Sequence, residues 1–307
     1  MTDTPPTSVL LPTVRWTDAC DEVAAQLRGD DELLVVCDDA DDPVAGRRGD
    51  LPSSVRIVLA GEPDGCSGKA NAIAAGMEAA AHKRLVWTDD DFRHPPDWLD
   101  TLAADYDRQG PTTEIPVFVG EDPLATLLEP SYLIGGSLAV AHAGIAWGGA
   151  VVFERDDLDE DAFLADLRRS LSDDGELTEH LDGMTAARRT RAVPCGGSIR
   201  ESLERFVRFV AITRRYAPLA TAGNVVLAVV LAAACLLAPV VGGALVTGTA
   251  AAAYASLGVR RPTFLLALPA VLLAPPLLAY AFARRSFVWA GRRYRWRGRH
   301  DVTVLSE

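Results

Sequence analysis

The sequence predicts an α/β fold built on a mostly parallel sheet, followed by a C-terminal helical membrane region. In the first 200 residues, short apolar runs typical of buried strands alternate with segments of helical periodicity. Acidic clusters and a Gly-Lys turn follow several of these runs, and ligands of open α/β sheets bind at the carboxyl ends of strands. Residues 219–283 are almost wholly apolar. These observations predict a ligand-binding α/β domain attached to a membrane.

The apolar runs and the helical periodicity place the individual elements. Strands are expected at 9–13, 32–37, 55–60, 85–87, 115–119 and 151–153, and helices at 18–28, 70–82, from 97 onwards and at 161–171. We therefore divide the chain into an α/β catalytic domain at 1–199, an amphipathic interfacial helix at 200–218, a transmembrane region of two or three helices at 219–283 and a basic cytoplasmic tail at 284–307.

The segment VWTDDDF at 86–92 ends an apolar run with three successive acids. Adjacent carboxylates repel one another, and neutralising them by protonation would require a large rise in pKa. Mg²⁺ or Mn²⁺ removes the conflict, because a hard divalent cation binds carboxylate oxygens together with the phosphate oxygens of a substrate. A solvated acidic loop is the alternative for this segment taken alone, and the ligand-binding position of the other strand ends favours the metal.

The charge distribution divides the molecule into two parts. Residues 1–218 have a net charge of −19, whereas residues 219–300 contain nine Arg and no acid. An acidic first part excludes non-specific binding to nucleic acid, since phosphate must be met by positive charge. High acid content with only two Lys predicts a salt-rich source such as a halophilic archaeon. The five Cys are scattered and odd in number, which indicates a reducing compartment without a disulfide framework.

The apolar region contains three candidate spans, near 219–238, 240–257 and 263–283. About 20 apolar residues suffice to cross a bilayer, and none of the three has the polar face of a helix in a soluble core. The tail at 284–299 has seven Arg and no acid, so it is expected on the cytoplasmic side. A cytoplasmic catalytic domain then requires an even number of crossings. One span is therefore expected to be re-entrant or interfacial, and Pro275-Pro276 points to the last. We predict a multi-pass protein of the cell membrane.

Residues 200–216 have helical periodicity with Leu203, Phe206, Val207 and Val210 on one face and arginines elsewhere. This pattern is typical of a helix lying in the headgroup layer. An ordinary amphipathic helix packed on the domain has the same pattern. The position of the segment beside the first apolar span favours the interfacial location.

Several short segments occur in an order that resembles a known family. They are CDDADD at 37–42, GKANAI at 68–73, TDDD at 88–91, WGGA at 147–150, SDD at 172–174, RFVRF at 205–209 and WAGRRY at 289–294. They resemble the motifs of membrane-bound, ceramide-glucosyltransferase-like members of glycosyltransferase family 2, whose catalytic domain has the Rossmann-like GT-A fold. The resemblance extends from about residue 9 to residue 218, with further similarity in the tail. In the segment RFVRF, which resembles the family's QxxRW element, Arg replaces the family's Gln and Phe replaces its Trp.

The resemblance implies a role for each matching residue. Asp38 and Asp39 would recognise the nucleotide, and Lys69 and Asp90 would lie on the donor side. Asp89 and Asp91 would bind the metal, the WGGA segment would face the acceptor, and Asp174 would be the catalytic base. Arg205 and Arg208 would contact the leaving nucleotide.

The chemistry of these residue types agrees with the resemblance. A diphosphate leaving group develops charge that a divalent cation neutralises, and the turn before a helix N-terminus, where Lys69 lies, favours anions. An acceptor hydroxyl needs a general base, for which Asp174 is the candidate. His94 is expected to be a loop residue rather than a metal ligand. Asp41, Asp42 and Asp173 are expected to be solvated.

These inferences predict an inverting, metal-dependent glycosyltransferase. The donor would be a nucleotide-sugar (a UDP- or GDP-sugar), and the acceptor would be lipid-linked: a polyprenyl phosphate, a lipid-linked glycan or a glycolipid. Two alternatives from other classes use the same acidic strand ends. One is a membrane-anchored nucleotide-sugar-binding protein without transferase activity, and the other is a nucleotidyltransferase.

Overall fold

A seven-stranded sheet is the framework of the fold. The structure is a computed structural model that describes residues 5–305. The strands are β1 Thr7–Pro12, β2 Glu32–Cys37, β3 Val55–Leu59, β4 Arg84–Thr88, β5 Thr112–Gly120, β6 Ala150–Glu154 and β7 Thr185–Cys195. They lie in the order β3-β2-β1-β4-β6-β5-β7. Strands β1 to β4 are mutually parallel where they pair, and β6 is antiparallel to both β4 and β5. The predicted α/β fold with a mostly parallel sheet is confirmed.

The register between β4 and β6 determines which loops meet. Thr88, at the end of β4, pairs with Ala150, at the start of β6. Because the two strands are antiparallel, the residues after Thr88 lie beside those before Ala150. The Asp89 N–H accordingly donates to the Gly149 carbonyl at 3.2 Å. The acidic segment and the WGGA segment are therefore neighbours.

The chain forms two compact units, each built from separate stretches. The first unit contains the residues up to Ile115, Val140–Arg191 and His300–Val304, and the second contains Pro116–Ala139 and Ala192–Arg299. The boundaries fall within β5 and β7. The four-part division predicted from the sequence stays a prediction.

The first unit packs its helices around a core that includes the central strands. These helices are α1 Asp18–Ala24, α2 Gly68–Ala79, α3 Trp98–Gln109, α6 Glu160–Leu167 and α7 Asp173–His180. Trp87 of β4 is fully buried, and its ring lies 5.2 Å from that of Phe153 and 5.9 Å from that of Phe163. Helix α2 lies so close to β1 that a Cβ on Gly76 would come within 2.8 Å of the Leu10 side chain. This tight packing holds the C-terminal half of α2 against β1.

The second unit is mainly helical. It contains α4 Pro123–Tyr132, continued by a π-helical turn at Leu133–Ser137 and by α5 Leu138–His142 at the unit boundary. Its other helices are α8 Ile199–Tyr216, α9 Pro218–Leu237, α10 Pro239–Ser256 and α11 Ala267–Ala283, the last preceded by a 3₁₀ turn at Pro262–Leu266. Leu203, Phe206 and Phe209 of α8 pack against a cluster that includes Leu128 and Leu277. Part of the apolar face of α8 is thus covered by protein, and an interfacial location of this helix stays a prediction.

Three helices among residues 5–305 are long and apolar enough to cross a membrane by length and composition. They are Pro123–His142, Pro218–Leu237 and Pro262–Ala283. The first and last of the predicted spans are therefore helices of the expected kind. Helix α10 does not meet these criteria, and the segment at 123–142 was not predicted. Helix α11 continues through Pro275 and Pro276 rather than breaking there.

The predicted basic tail contains strands. Strands β8 Phe287–Trp289 and β9 Arg292–Gly298 form an antiparallel hairpin in which Trp289 pairs with Arg292, and β10 Asp301–Leu305 follows. Ala290 and Gly291 connect β8 to β9, and both have positive φ, at 48° and 78°. A two-residue connection with positive φ at both positions matches the right-handed twist of a hairpin. The WAGRRY segment is therefore the end of β8, the turn and the start of β9.

Candidate active site

The candidate active site lies in the first unit, where one lysine meets carboxylates from separate elements. Lys69 Nζ lies 2.6 Å from Asp89 Oδ1 and 3.2 Å from Asp173 Oδ2. Asp89 follows β4, Lys69 begins α2 and Asp173 begins α7. The side chains of Lys69 and Asp173 are only 16% and 5% exposed, so this charge cluster is largely withdrawn from water.

The local structure around Lys69 explains its position. The Ser67 hydroxyl accepts a hydrogen bond from the Ala70 N–H at 3.0 Å, which caps α2 and fixes where the helix begins. Burial alone would lower the pKa of Lys69, but Asp173, Asp89 and Asp174 outweigh it and hold the pKa well above its ordinary value. Lys69 is therefore a permanent cation in this site.

Asp174 is held at the start of α7. Ser172 caps this helix by accepting from the Gly175 N–H at 3.1 Å, and Asp174 Oδ1 accepts from the Gly148 N–H at 2.8 Å. Burial raises the pKa of Asp174, and the neighbouring Asp173 charge raises it further. Lys69 and the Gly148 N–H oppose this rise, and the resulting pKa is about 8. A carboxyl group with such a pKa is suited to proton transfer near neutral pH.

The two glycines of the WGGA segment allow close approaches that no other residue would permit. A Cβ on Gly148 would lie 2.5 Å from Asp174 Oδ1 and 2.6 Å from Asp173 Oδ2. A Cβ on Gly149 would lie 2.3 Å from the Trp147 indole, whose ring packs 5.3 Å from Phe92. The sequence indicated only an acceptor-side segment here. The structure shows that Gly148 also contacts the candidate base.

The remaining acids of the TDDD segment have separate environments. Asp90 Oδ2 accepts from the Thr13 hydroxyl at 2.6 Å, which connects the ends of β1 and β4. Burial raises the pKa of Asp90 above its ordinary value, although the Thr13 hydrogen bond opposes this rise. Asp91 is exposed. The segment thus directs Asp89 to Lys69, Asp90 to the β1 loop and Asp91 to the surface.

The residues present fit a divalent cation. Asp173 Oδ2 has no hydrogen-bond partner among residues 5–305, although it lies close to Lys69. Asp89, Asp173 and Asp174 outnumber the single ammonium group, so a net negative charge remains. Carboxylate oxygens in excess are the donor set that Mg²⁺ and Mn²⁺ bind.

Asp38 and Asp39 end β2 in the same unit. Asp38 is buried, Asp39 is exposed, and both of their N–H groups donate to Asp42 Oδ2, at 2.8 and 3.1 Å. Asp42 is half-exposed, and its carboxylate closes this turn. Asp41 is exposed, as expected. The expectation that Asp173 is solvated is wrong: it is 3% exposed and ion-paired with Lys69, since the cap at Ser172 turns it inward.

Arg205 and Arg208 lie on α8, in the second unit. The Arg208 guanidinium lies over the Trp289 ring at 4.2 Å from its centroid. Two segments of the family resemblance, RFVRF and WAGRRY, therefore contact each other. The nucleotide-binding roles of Arg205 and Arg208 stay predictions.

His94 lies in a loop, as predicted. It is 4% exposed and its Nε2 lies 2.6 Å from the Thr88 hydroxyl. Burial lowers the pKa of His94 to about 4, although Glu22 opposes this shift. His94 is therefore a neutral core residue that supports the end of β4.

Sequence reasoning missed a group of histidines and acids in the first unit. Ligand atoms of Asp166, Glu176 and His180 all lie within 4.8 Å of one another. His300, at the start of β10, adds a second imidazole, with Nε2 3.2 Å from Glu176 Oε1. More than 120 residues separate His300 from Glu176 in the chain. No local sequence signal could have brought these residues together.

Comparison with known proteins identifies the class of this chain. Residues 32–301 match the family described as glycosyl transferase family 21. The chain is therefore a glycosyltransferase, as predicted. It belongs to glycosyl transferase family 21, with which the predicted resemblance to ceramide-glucosyltransferase-like members of family 2 agrees only loosely. No curated protein matches the chain significantly.

Solved structures resemble the chain only distantly. A glucosyl-3-phosphoglycerate synthase from Mycobacterium tuberculosis, in complex with Mn²⁺ and UDP-glucose, is 15% identical with a TM-score of 0.44, over 68% of this chain and 79% of that chain. A mannosyl-3-phosphoglycerate synthase from Rubrobacter xylanophilus is 16% identical with a TM-score of 0.42, over 71% and 76%. Likenesses this distant support no conclusion about the chemistry of this chain. The predicted halophilic source stays a prediction.

Proposed function

We propose that this chain is an inverting, metal-dependent glycosyltransferase. It would move a sugar from a UDP- or GDP-sugar to a lipid-linked acceptor at the cytoplasmic face of the cell membrane. The observation that carries this proposal is the contact of Lys69 with Asp89 and Asp173, beside Asp174 and the Gly148 N–H. This cluster offers a cation for phosphate, surplus carboxylates for a metal and a carboxyl group with a raised pKa for proton transfer.

Asp89 would hold the divalent cation together with Asp173, whose Oδ2 has no hydrogen-bond partner among residues 5–305. Asp91, exposed two residues after Asp89, would be the further carboxylate ligand that the resemblance implies. When bound, the cation would neutralise the charge that develops on the diphosphate leaving group. Lys69, second in α2, offers its ammonium group to the same anion beside the helix N-terminus. Asp38 and Asp39, which follow β2 in the same unit, would contact the nucleotide.

Asp174 would act as the general base. Its carboxylate would take the proton from the acceptor hydroxyl as that oxygen forms a bond to the anomeric carbon. The bond between the anomeric carbon and the diphosphate oxygen breaks on the opposite side, and the electron pair leaves with the nucleoside diphosphate. One displacement of this kind inverts the anomeric configuration. The Gly148 N–H holds the Asp174 oxygen in place for this step.

The second unit supports the membrane location. Apolar side chains of α9 and α10 are widely exposed, among them Leu219 at 88%, Leu237 at 87% and Val240 at 84%. Soluble monomers rarely expose continuous apolar surface on this scale, whereas lipid covers it without cost. A lipid-linked acceptor is the substrate that such an attached enzyme would meet.

The test uses the full chain in membranes with a panel of labelled nucleotide-sugars, each with Mg²⁺, with Mn²⁺ or with EDTA. Label entering the lipid extract in a metal-dependent way supports the proposal. Label transferred only to an added soluble acceptor such as 3-phosphoglycerate contradicts the lipid acceptor. Pyrophosphate release in place of nucleoside diphosphate would indicate a nucleotidyltransferase.

Matched variants separate catalysis from binding. Asp174→Asn should lower transfer about 1,000-fold while donor binding remains, and Asp182→Asn removes an exposed acid of the same unit as a control. Full transfer by Asp174→Asn would contradict the role of the base. The unaltered chain could instead bind the donor but transfer no sugar to any acceptor extract. That result would indicate a nucleotide-sugar-binding protein without transferase activity.

A further inference from the structure

The second unit contains a basic pocket that the proposed reaction does not use. Its volume is about 680 Å³, and its charged lining consists of Arg214, Arg215, Arg284, Arg285, Arg295 and Arg297. These residues come from the end of α8, from the segment after α11 and from β9. Within residues 5–305, no acidic residue lines the pocket. We refer to these six residues and the space between them as the arginine pocket.

The charges of the arginine pocket are poorly compensated. Among residues 5–305, only Arg284 of the six has an acidic partner, with Nη2 3.0 Å from Glu204 Oε1. Arg215 stacks over Trp296 at 4.2 Å and donates to the carbonyls of Ala211 and Trp296. Its Nε–H is buried without a hydrogen-bond partner in the described part of the chain. Buried donors and crowded like charges both destabilise a fold unless an anion is present.

The pKa of Arg215 reflects the same crowding. Burial lowers it, the adjacent Arg214 charge lowers it further, and the resulting pKa is about 10. An arginine with a lowered pKa gains stabilisation when a negative group enters its surroundings.

The arginine pocket lies at the ends of two predicted membrane spans. Arg214 and Arg215 precede α9, which begins at Pro218, and Arg284 and Arg285 directly follow α11, which ends at Ala283. Arginines at the ends of apolar helices lie at the level of the lipid headgroups. The rest of the lining includes the apolar side chains of Val207, Val210 and Phe282. The pocket therefore combines phosphate-binding groups with apolar surface at one depth.

We propose that the arginine pocket binds the phosphate of an anionic membrane lipid. This inference rests on the membrane attachment proposed above. Guanidinium groups bind phosphate oxygens in pairs of parallel hydrogen bonds, and basic pockets beside spans on the cytoplasmic side select anionic headgroups. The apolar lining favours a lipid over free phosphate, because an acyl chain can cover it. Bound lipid would satisfy the Arg215 N–H and offset the charge of the other five arginines.

The experiment uses the full chain reconstituted in nanodiscs of neutral phosphatidylcholine. Dioctanoyl phosphatidic acid is titrated in, and bound lipid is counted by native mass spectrometry. The double substitution Arg285→Gln/Arg297→Gln removes two exposed charges of the pocket. Each arginine near a lipid phosphate contributes about fivefold to the affinity, so we expect the loss of two to weaken lipid binding about 30-fold. The control Arg169→Gln/Arg188→Gln removes the same charge from exposed positions of the first unit and should change binding less than twofold.

Each outcome decides the proposal. The proposal is supported if lipid binding is lost in the pocket variant alone and if inorganic phosphate does not displace the lipid. Inorganic phosphate is the soluble competitor, at 10 mM (roughly the upper range for weak anion sites). Unchanged binding in the pocket variant overturns it. Displacement by inorganic phosphate overturns the lipid assignment and leaves a site for soluble anions. Binding of labelled nucleotide-sugar, measured in the same discs, should be equal in both variants, so failure of this proposal is distinct from failure of the proposed transferase.

Discussion

The two charged sites of this protein have opposite imbalances. In the first unit, one ammonium group lies among Asp89, Asp173 and Asp174, whereas in the second unit only one of the six pocket arginines has an acidic partner among residues 5–305. An enclosed excess of either sign costs free energy, and a ligand of the other sign removes that cost. The first site therefore calls for a cation and the second for an anion. An uncompensated charge in a protein therefore indicates the sign of the charge of its ligand, even when the chemical identity of that ligand is unknown.

The largest loss of sugar transfer is expected when the cation is removed from the acidic site. EDTA should reduce sugar transfer at least 1,000-fold, because the leaving diphosphate would have no Lewis acid, and Mg²⁺ or Mn²⁺ should restore it. Transfer rates with and without added metal measure this effect. Asp89→Asn should remain inactive after metal is restored. Full activity in EDTA would show that the surplus carboxylates do not hold a cation needed for transfer. The proposed contrast between a cation site and an anion site would then be wrong.

Asp174→Asn should lower kcat about 1,000-fold, within the range expected for loss of a general base. The amide is isosteric and still accepts from the Gly148 N–H, so the fold and donor KM should change little. Steady-state kinetics against donor concentration distinguishes the two parameters. A variant with weakened donor binding but unchanged kcat would place Asp174 on the donor side instead.

Gly148→Ala should lower both activity and stability. The new Cβ would lie 2.5 Å from Asp174 Oδ1, so the carboxyl group must shift. We expect a loss of roughly tenfold to 100-fold in kcat from misplacement and about 1–3 kcal/mol in the free energy of unfolding from overpacking. Gly183→Ala, at an exposed glycine with no atom within 4 Å of the new Cβ, is the control for the added methyl group.

The smallest effect is a shift in pH dependence. Burial and the Asp173 charge raise the pKa of Asp174 to about 8, so the base is protonated and inactive below that pH. The rate should rise with pH by up to about tenfold per unit and level off above the pKa of Asp174. Bound metal should move this limb to lower pH, because it favours the ionised carboxylate.

Asp173→Asn removes the neighbouring like charge and should move the same limb to lower pH. The pH profile of kcat/KM for both proteins, from pH 5.5 to 9 (roughly 2 units below to 1 above the pKa of Asp174), measures the shift. A limb that stays in place, or moves upward, would show that Asp173 does not act on the base.

The sequence predicted those parts of the fold that rest on local patterns. Strand β2 has the expected bounds, because its apolar run is flanked by acids on both sides. The acidic segment and the Gly-Lys turn were predicted to follow strands, and Lys69 and Asp89 lie together because parallel strands bring their carboxyl ends to one edge of a sheet. Strand β7 was missed because its sequence, TAARRTRAVPC, is polar and half-exposed without clear alternation. The hairpin of β8 and β9 was not predicted, because the segment that contains it was interpreted only as a basic tail.

Other parts depended on contacts that no sequence window contains. Asp173 was expected to be solvated because most acids of an acidic protein are, and only the turn at Ser172 directs it to Lys69. Gly148 was recognised as part of a segment, yet its hydrogen bond to Asp174 spans 26 residues. The arginine pocket draws its six charges from three elements. Composition showed that the region was basic, but only the fold shows that the charges surround one space.

His300 connects the end of the described chain to α7, the helix that carries the proposed base. Its imidazole reaches Glu176, which lies on α7 two residues after Asp174. Shortening the protein before residue 300 would therefore remove a support from the helix that carries the proposed base, although His300 has no role in the proposed reaction. Truncated versions prepared for purification should be compared with the full chain before any loss of activity is attributed to the membrane region.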